Sequence, residues 1–432
     1  MDAADLDRRF RSDSPRIPAY LVSRLLELGH AEEVAFQAGR GEWFCARELA
    51  RRLAGQGLRA EAWEVLAPYL ASGSWTAAET AAGLLEEWGK ADEAIALARP
   101  HADGGTRQAL AFLGRLLARH GRGGQAFALL LPHLEDAFLA TALVDVARPA
   151  GREEEVAALL AARIETPHRC ADPGCDRARI APANAVSLLA TVQERRGRVD
   201  EAVALLRPVP AAPPAHAHAQ LADVLARHGR MEQLREYAAE LGNPARRLAE
   251  LLEERGDVEG AIAVYRGLPA SDDLRPFTAA HLADLLERHG RGDEAIEVMR
   301  ALVDASPGAE DWVVRRLCAL YAGAGRALEG LAYLDDLKSL SGGEDWEFFE
   351  LRLPLLAAEG RSGEALALVR AHPEGDTWYA ADSVARLHAE AGRLDEAVTV
   401  LRAHACDLAL DLAEHLITLG RVREAVAVLQ ER

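Results

Sequence analysis

The sequence predicts an all-α chain of about thirteen stacked helix-turn-helix repeats, and three observations predict it. A glycine recurs at a mean interval of about 33 residues, the range of a helical solenoid. The series runs Gly29, Gly57, Gly89, Gly121, Gly151, Gly197, Gly229, Gly256, Gly290, Gly325, Gly360, Gly392 and Gly420. Apolar residues at helical spacing precede each glycine. A small or branched apolar residue follows five positions later, most often Ala in the form G-R-x-x-E-A.

In chain order, residues 1–15 are polar and charged and read as a flexible N-terminal segment, and repeats follow over 16–164. One later unit shows the physics of each hairpin. Leu282, Leu285 and Leu286 form an apolar stripe, and Gly290 then closes the helix because glycine enters the left-handed region without a Cβ penalty. Arg288 and His289 sit where the carbonyl end of the helix favours cations, and Asp293 and Glu294 open the next helix where its amino end favours anions. Ala295, Ile296 and Met299 then supply the second stripe. The pattern recurs over Leu221–Leu225, Leu248–Leu252 and Leu412–Leu416. Neither helix buries its stripe alone, so each hairpin must stack on the next. The recurrent Ala (Ala62, Ala94, Ala202, Ala295, Ala365, Ala397, Ala425) marks a close helix crossing, where a larger side chain would cost about 1–3 kcal/mol.

Two stretches break the period. Residues 165–183 form a Cys/His/Pro-rich insertion in which His168, Cys170 and Cys175 fall close together beside Asp172 and Asp176. Thiolate and imidazole in a short loop suit a structural zinc ion. A Cys170–Cys175 disulfide and a plain surface loop with free thiols are the other readings, the last being favoured. Residues 207–215 carry four prolines and read as a stiff extended connector. Repeats resume over 184–432, and a joint is expected near 165–215.

The Leu-Ala/Gly pairs of the first helices (Leu113-Gly114, Leu189-Ala190, Leu248-Ala249), the turn glycine and the Ala five residues on resemble the tetratricopeptide repeat family. The family's aromatic and closing-proline positions are mostly absent here. The resemblance implies a right-handed superhelical solenoid with a concave face built from the first helices. Numbering each repeat so that the turn glycine is 15, the family lines that face with positions 2, 5, 9, 12 and 13. Position 2 then carries Phe44, Phe138, Phe277, Trp312 and Tyr379; position 5 carries Arg47, Arg246 and Arg315; position 9 carries Arg51, Arg115 and Arg386. Asp223, Glu250 and Asp284 make the middle of position 9 acidic. Trp43, Trp75, Trp346 and Trp378 share position 1, where an indole staples the helix start to the preceding hairpin.

Composition narrows the function. A net charge of −18 argues against general nucleic-acid binding, whose affinity comes from neutralising phosphates. Lys90 and Lys338 are the two lysines among 50 basic residues, which reads as GC-rich codon usage. No apolar run long enough to span a bilayer and no leader is visible, and three cysteines lie in helical patterns, so a reducing cytoplasm is expected. No phosphate-binding, metalloprotease or nucleophile-elbow motif occurs. The expected function is therefore a non-catalytic scaffold or sensor that needs no cofactor beyond the zinc option and takes a peptide or partner protein along the groove. The alternative is a regulatory binder of a small molecule or nucleic acid through clustered groove arginines.

Overall fold

The computed structural model describes residues 16–165, 180–207, 215–240, 242–268, 275–305, 311–341 and 345–431. Every regular element among them is a helix. In chain order these are α1 (Ala19–Glu27), α2 (Ala31–Gly39), α3 (Trp43–Gly55), α4 (Arg59–Ala71), α5 (Trp75–Glu87), α6 (Ala91–Asp103), α7 (Arg107–Arg119), α8 (Gly123–Leu130), α9 (Ala137–Ala147) and α10 (Glu153–Glu165). They continue as α11 (Pro182–Arg195), α12 (Val199–Leu206), α13 (Ala215–Arg227), α14 (Met231–Glu240), α15 (Gly242–Glu254), α16 (Val258–Arg266), α17 (Arg275–Arg288), α18 (Gly292–Ala305), α19 (Asp311–Gly323) and α20 (Ala327–Ser341). The last are α21 (Trp346–Phe349), α22 (Arg352–Ala358), α23 (Ser362–Ala371), α24 (Trp378–Glu390), α25 (Leu394–Arg402), α26 (Ala409–Thr418) and α27 (Val422–Glu431).

The thirteen predicted turn glycines all lie in the left-handed region, with φ from 66 to 89°. At each one the following residue donates its backbone N–H to the carbonyl five residues back, as in Arg122 to Leu117 at 2.8 Å and His30 to Leu25 at 2.9 Å. This bond satisfies one of the carbonyls left open at a helix C-terminus, and it forms only when the intervening residue has positive φ. Three more left-handed glycines, Gly41, Gly73 and Gly105, make the turns between hairpins. From Gly41 to Gly121 the turn glycines fall on every sixteenth residue, and α3 through α7 are 13 residues each.

The position five residues after the turn glycine is fully buried throughout, Ala62, Ala94, Ala202, Ala295, Ala365, Ala397 and Ala425 among the examples. Gly330 holds the same place in α20, where even a Cβ would stand 2.9 Å from a methyl of Leu355. At Gly330 the helices therefore cross closely enough to require a small side chain, whereas Val34, Val156 and Leu234 fill the same buried place in three other repeats.

The chain forms two compact units, Ala35–Leu251 and Pro15–Val34 together with Leu252–Arg432. In the first, a continuous apolar core runs from Ala82 in α5 to Val192 in α11. In the second, a core around Trp346, Leu356, Val369 and Leu387 joins α21–α24. Also in the second unit, the Arg16 guanidinium donates to the carbonyl of Gln430 in α27. The α1–α2 turn at Gly29–Glu33 and the α26–α27 turn at Gly420–Glu424 line one cleft there.

Two ladders of ion pairs join successive hairpins. In one, a carboxylate at position 12 receives Arg and His from positions 13 and 14 of the next repeat. Arg119 chelates Glu86 through two bonds of 2.8 Å, and His120 Nε2 lies 2.9 Å from the same carboxylate. Arg227 and His228 repeat this on Glu194, as do Arg288 and His289 on Glu253. These histidines act on a neighbouring hairpin as well as on their own helix end. Hydrogen bonds from Arg119 and Arg288 hold the Glu86 and Glu253 carboxyls below their ordinary range; at Glu194 burial pushes upward, but Arg227 and His228 outweigh it. In the other ladder, the Arg after the turn glycine bridges acids of two repeats. Arg291 bonds Glu294 of its own helix and Glu259 of the preceding one, and Arg326 bonds Glu329 and Asp293. Most of these pairs are partly exposed and each contributes about 0–1 kcal/mol, so the ladders fix registry more than stability.

Candidate binding cleft

The first helices of three successive hairpins in the second unit, α19, α21–α22 and α24, enclose a cleft of about 330 Å³. Small residues open it. Positions 9 and 12 of α19 are Ala319 and Ala322, and position 9 of the next repeat is Pro354, where other repeats often carry long charged side chains. Pro354 has no N–H to give the carbonyl of Glu350, so the first helix of that repeat is interrupted and α22 starts afresh with proline in its first turn. The floor is formed by the buried Cys318, Leu353, Ser383 and Leu387. Burial pushes the Cys318 thiol up to about 12, so it is not a nucleophile at neutral pH.

Arg315 and Arg386 stand on the rim with Glu350 and Glu390. The Arg315 guanidinium donates to Glu350 at 2.6 Å and that of Arg386 to Asp382 at 2.7 Å. Both arginine side chains are more than half exposed, so these pairs are weak and can exchange partners. Among the residues singled out from the sequence, Arg315 and Arg386 thus meet in one site. Phe277 and Trp312 form another neighbouring pair in the same unit, stacked with ring centroids 5.6 Å apart and 16° between planes, Phe277 being 56% exposed. Tyr379 donates its hydroxyl to Glu374 and packs its ring against buried Trp346 at 5.4 Å.

In the first unit Arg47 lies over the Phe44 ring at 4.7 Å, and Arg47 and Arg51 both reach Glu48. Arg115 bonds Asp145 at 3.0 Å, which also holds Arg195. Phe138 is exposed beneath Arg107, and Arg246 bonds Glu250 within its own helix. The acids of position 9 are paired too, Asp223 with Arg247 and Asp284 with Arg316. His168, Cys170 and Cys175 lie outside the described residues, as does the connector at 208–214. Among the described residues no group of three or more His, Cys, Asp or Glu is placed to hold a metal ion, and no helix is long and apolar enough to cross a membrane.

Residue-type searching missed Ala319, Ala322, Glu350, Pro354, Ser383 and Glu390. The available signal was subtractive, the loss of charge at positions 9 and 12 over two adjoining repeats.

The hairpins, their left-handed glycine turns and their small-residue crossings define a tetratricopeptide-like helical-repeat protein. Its sequence matches no protein family and no curated protein. Solved structures with similarity include that of Naa15/Naa10 bound to HypK-THB, at 14% identity over 99% of this chain and 75% of that one, with a TM-score of 0.42. The pentatricopeptide repeat protein PPR10 in complex with an 18-nt psaJ RNA element is similar at 14% identity, 99% and 70% coverage and a TM-score of 0.41. A tetratricopeptide repeat protein from Parabacteroides merdae gives 14%, 71% and 99%, and 0.30.

Proposed function

We propose that this chain is a non-catalytic interaction scaffold that holds an extended or helical segment of a partner protein in the cleft between α19, α22 and α24. The observation that carries this reading is an apolar floor, Leu353 and Leu387, framed by two exposed arginines whose present carboxylate partners are weak. An apolar side chain of the partner enters the cleft, and an acidic residue beside it replaces Glu350 or Asp382 on Arg315 or Arg386. Arginine around an apolar pocket is the composition of interface hot spots. Protein rather than nucleic acid is the favoured occupant, because the rim arginines alternate with Glu350 and Glu390 and so form no open cationic track.

The test is peptide selection from a random library on the full chain, repeated with Arg315→Glu and Arg386→Glu. Selected peptides should pair an apolar residue with a neighbouring Asp or Glu, and both variants should lose them while unfolding at an unchanged temperature. Peptides without acidic residues, or equal retention by the variants, would refute the reading. Capture of a single-stranded oligonucleotide that depends on Arg315 would replace it with the nucleic-acid alternative.

A further inference from the structure

The floor of the cleft between α19, α22 and α24 carries a polar group that the protein leaves without a partner. Among the described residues four polar or charged side chains are buried: Gln37, His218, Arg352 and Ser383. Three of them are partnered, His218 by Tyr237 and Arg352 by Asp335, with Gln37 engaged as well. Ser383 is 5% exposed and lines the cleft, and its hydroxyl makes no hydrogen bond among the described residues. Several other helix hydroxyls satisfy themselves on the carbonyl four residues back, as those of Thr191, Ser339, Thr399 and Thr418 do at 2.8–3.0 Å. Ser383 makes no such bond to Tyr379.

A buried hydroxyl without a partner is costly, and whatever supplies the missing bond returns that cost. The rest of the cleft limits what this can be. Leu351, Leu353, Pro354 and Leu387 make the lining mainly apolar, and Cys318, its thiol neutral, adds a further small apolar surface. A volume of about 330 Å³ sits at the lower end of small-ligand pockets, roughly 300–1,000 Å³, so one large side chain fills it and a helix does not. An aliphatic side chain would cover the apolar walls and leave Ser383 unbonded. A short polar one would bond Ser383 and leave the walls in water. Both demands are met by a long apolar body with one hydrogen-bonding group at its far end. In tyrosine the hydroxyl lies on the long axis of the ring, whereas the N–H of tryptophan lies on its flank.

Taking the cleft as the partner site proposed above, we infer that Ser383 makes it selective for a tyrosine of the partner, the ring against Leu353 and Leu387 and the phenol hydroxyl on Ser383 Oγ.

The experiment titrates the full chain with N-acetyltyrosinamide and N-acetylphenylalaninamide, followed by the methyl resonances of Leu353 and Leu387. One hydrogen bond at a buried group should favour the tyrosine amide by about three- to tenfold. Ser383→Ala should unfold no earlier than the parent, bind the phenylalanine amide equally well and lose the preference. Arg315→Glu and Arg386→Glu should keep the preference, because the rim charges do not contact the phenol. A preserved preference alongside library peptides that lack acidic residues would therefore remove the rim reading and leave the tyrosine selectivity standing. Equal binding of the two amides, binding of neither, or a preference that survives Ser383→Ala overturns the selectivity.

Discussion

Two adjacent glycines at the start of α8 should respond to the same substitution with opposite signs. Gly123 is buried and Gly124 exposed. A Cβ built on Gly123 would stand 2.3 Å from the carbonyl oxygen of Pro149, 2.6 Å from its carbon and 2.7 Å from the nitrogen of Ala150, whereas Gly124 meets nothing within 4 Å. The obstruction is backbone, which cannot rotate away, so the α8 start and the turn after α9 would have to part by about 1 Å to reach normal carbon–oxygen separation. Overpacking of that kind costs about 1–3 kcal/mol. Alanine returns up to about 1 kcal/mol of helix propensity at either site. Gly123→Ala should therefore lose about 1–2 kcal/mol, and Gly124→Ala should gain up to about 1 kcal/mol. Long repeat arrays do not always unfold in one step, so amide exchange over 123–150 is the sharper readout, with α24–α27 as an internal control. If Gly123→Ala protects those amides as well as Gly124→Ala does, the close approach of the two hairpins is wrong.

Gly290→Ala, at a turn with φ of 72°, should cost about 1 kcal/mol in urea unfolding because alanine is strained there. A double-mutant cycle on Glu253 and Arg288 should give a coupling of about 0.5–1 kcal/mol; a value of zero would make that ladder rung cosmetic. Because Arg288 and His289 hold the Glu253 carboxyl below its ordinary range, its contribution is complete at neutral pH and is lost as pH falls through the folded value. Glu253→Gln should flatten the acid-side loss of stability between about pH 5 and 3, measured as urea midpoints. In the native chain at pH 8, a thiol reagent followed by peptide mapping should label exposed Cys406 rapidly and leave Cys318 and Cys45 unmodified until unfolding.

The turn glycines and the Ala crossings were legible in the sequence because each is dictated within one hairpin. A left-handed closing residue leaves a glycine at a fixed offset in all thirteen hairpins, and the crossing leaves Ala in nine of them. The ladders were not legible, since Glu253 and His289 sit 36 residues apart and each alone looks like an ordinary end-of-helix charge. Their pairing depends on how far one hairpin turns relative to the next, which no single repeat encodes. Arg315 and Arg386 were selected by register, yet the cleft they frame is made by the shortness of Ala319, Ala322 and Pro354. Searching for chemically active residue types passes over residues whose contribution is the space they leave.

The sixteen-residue glycine grid of α3–α7 carries a consequence for how this protein changes length. Thirteen helical residues and a three-residue turn form a module about 20 Å long, and two of them complete a hairpin. Excision or duplication of 32 residues between equivalent points, such as Gly57 and Gly89, leaves every turn, cap and apolar stripe in phase. A change of sixteen residues instead exchanges the roles of first and second helices, setting long-chain faces where the small-residue crossings belong. Over this stretch the chain can grow or shrink only in whole hairpins, so recombination there yields a discrete series of lengths and not a continuum.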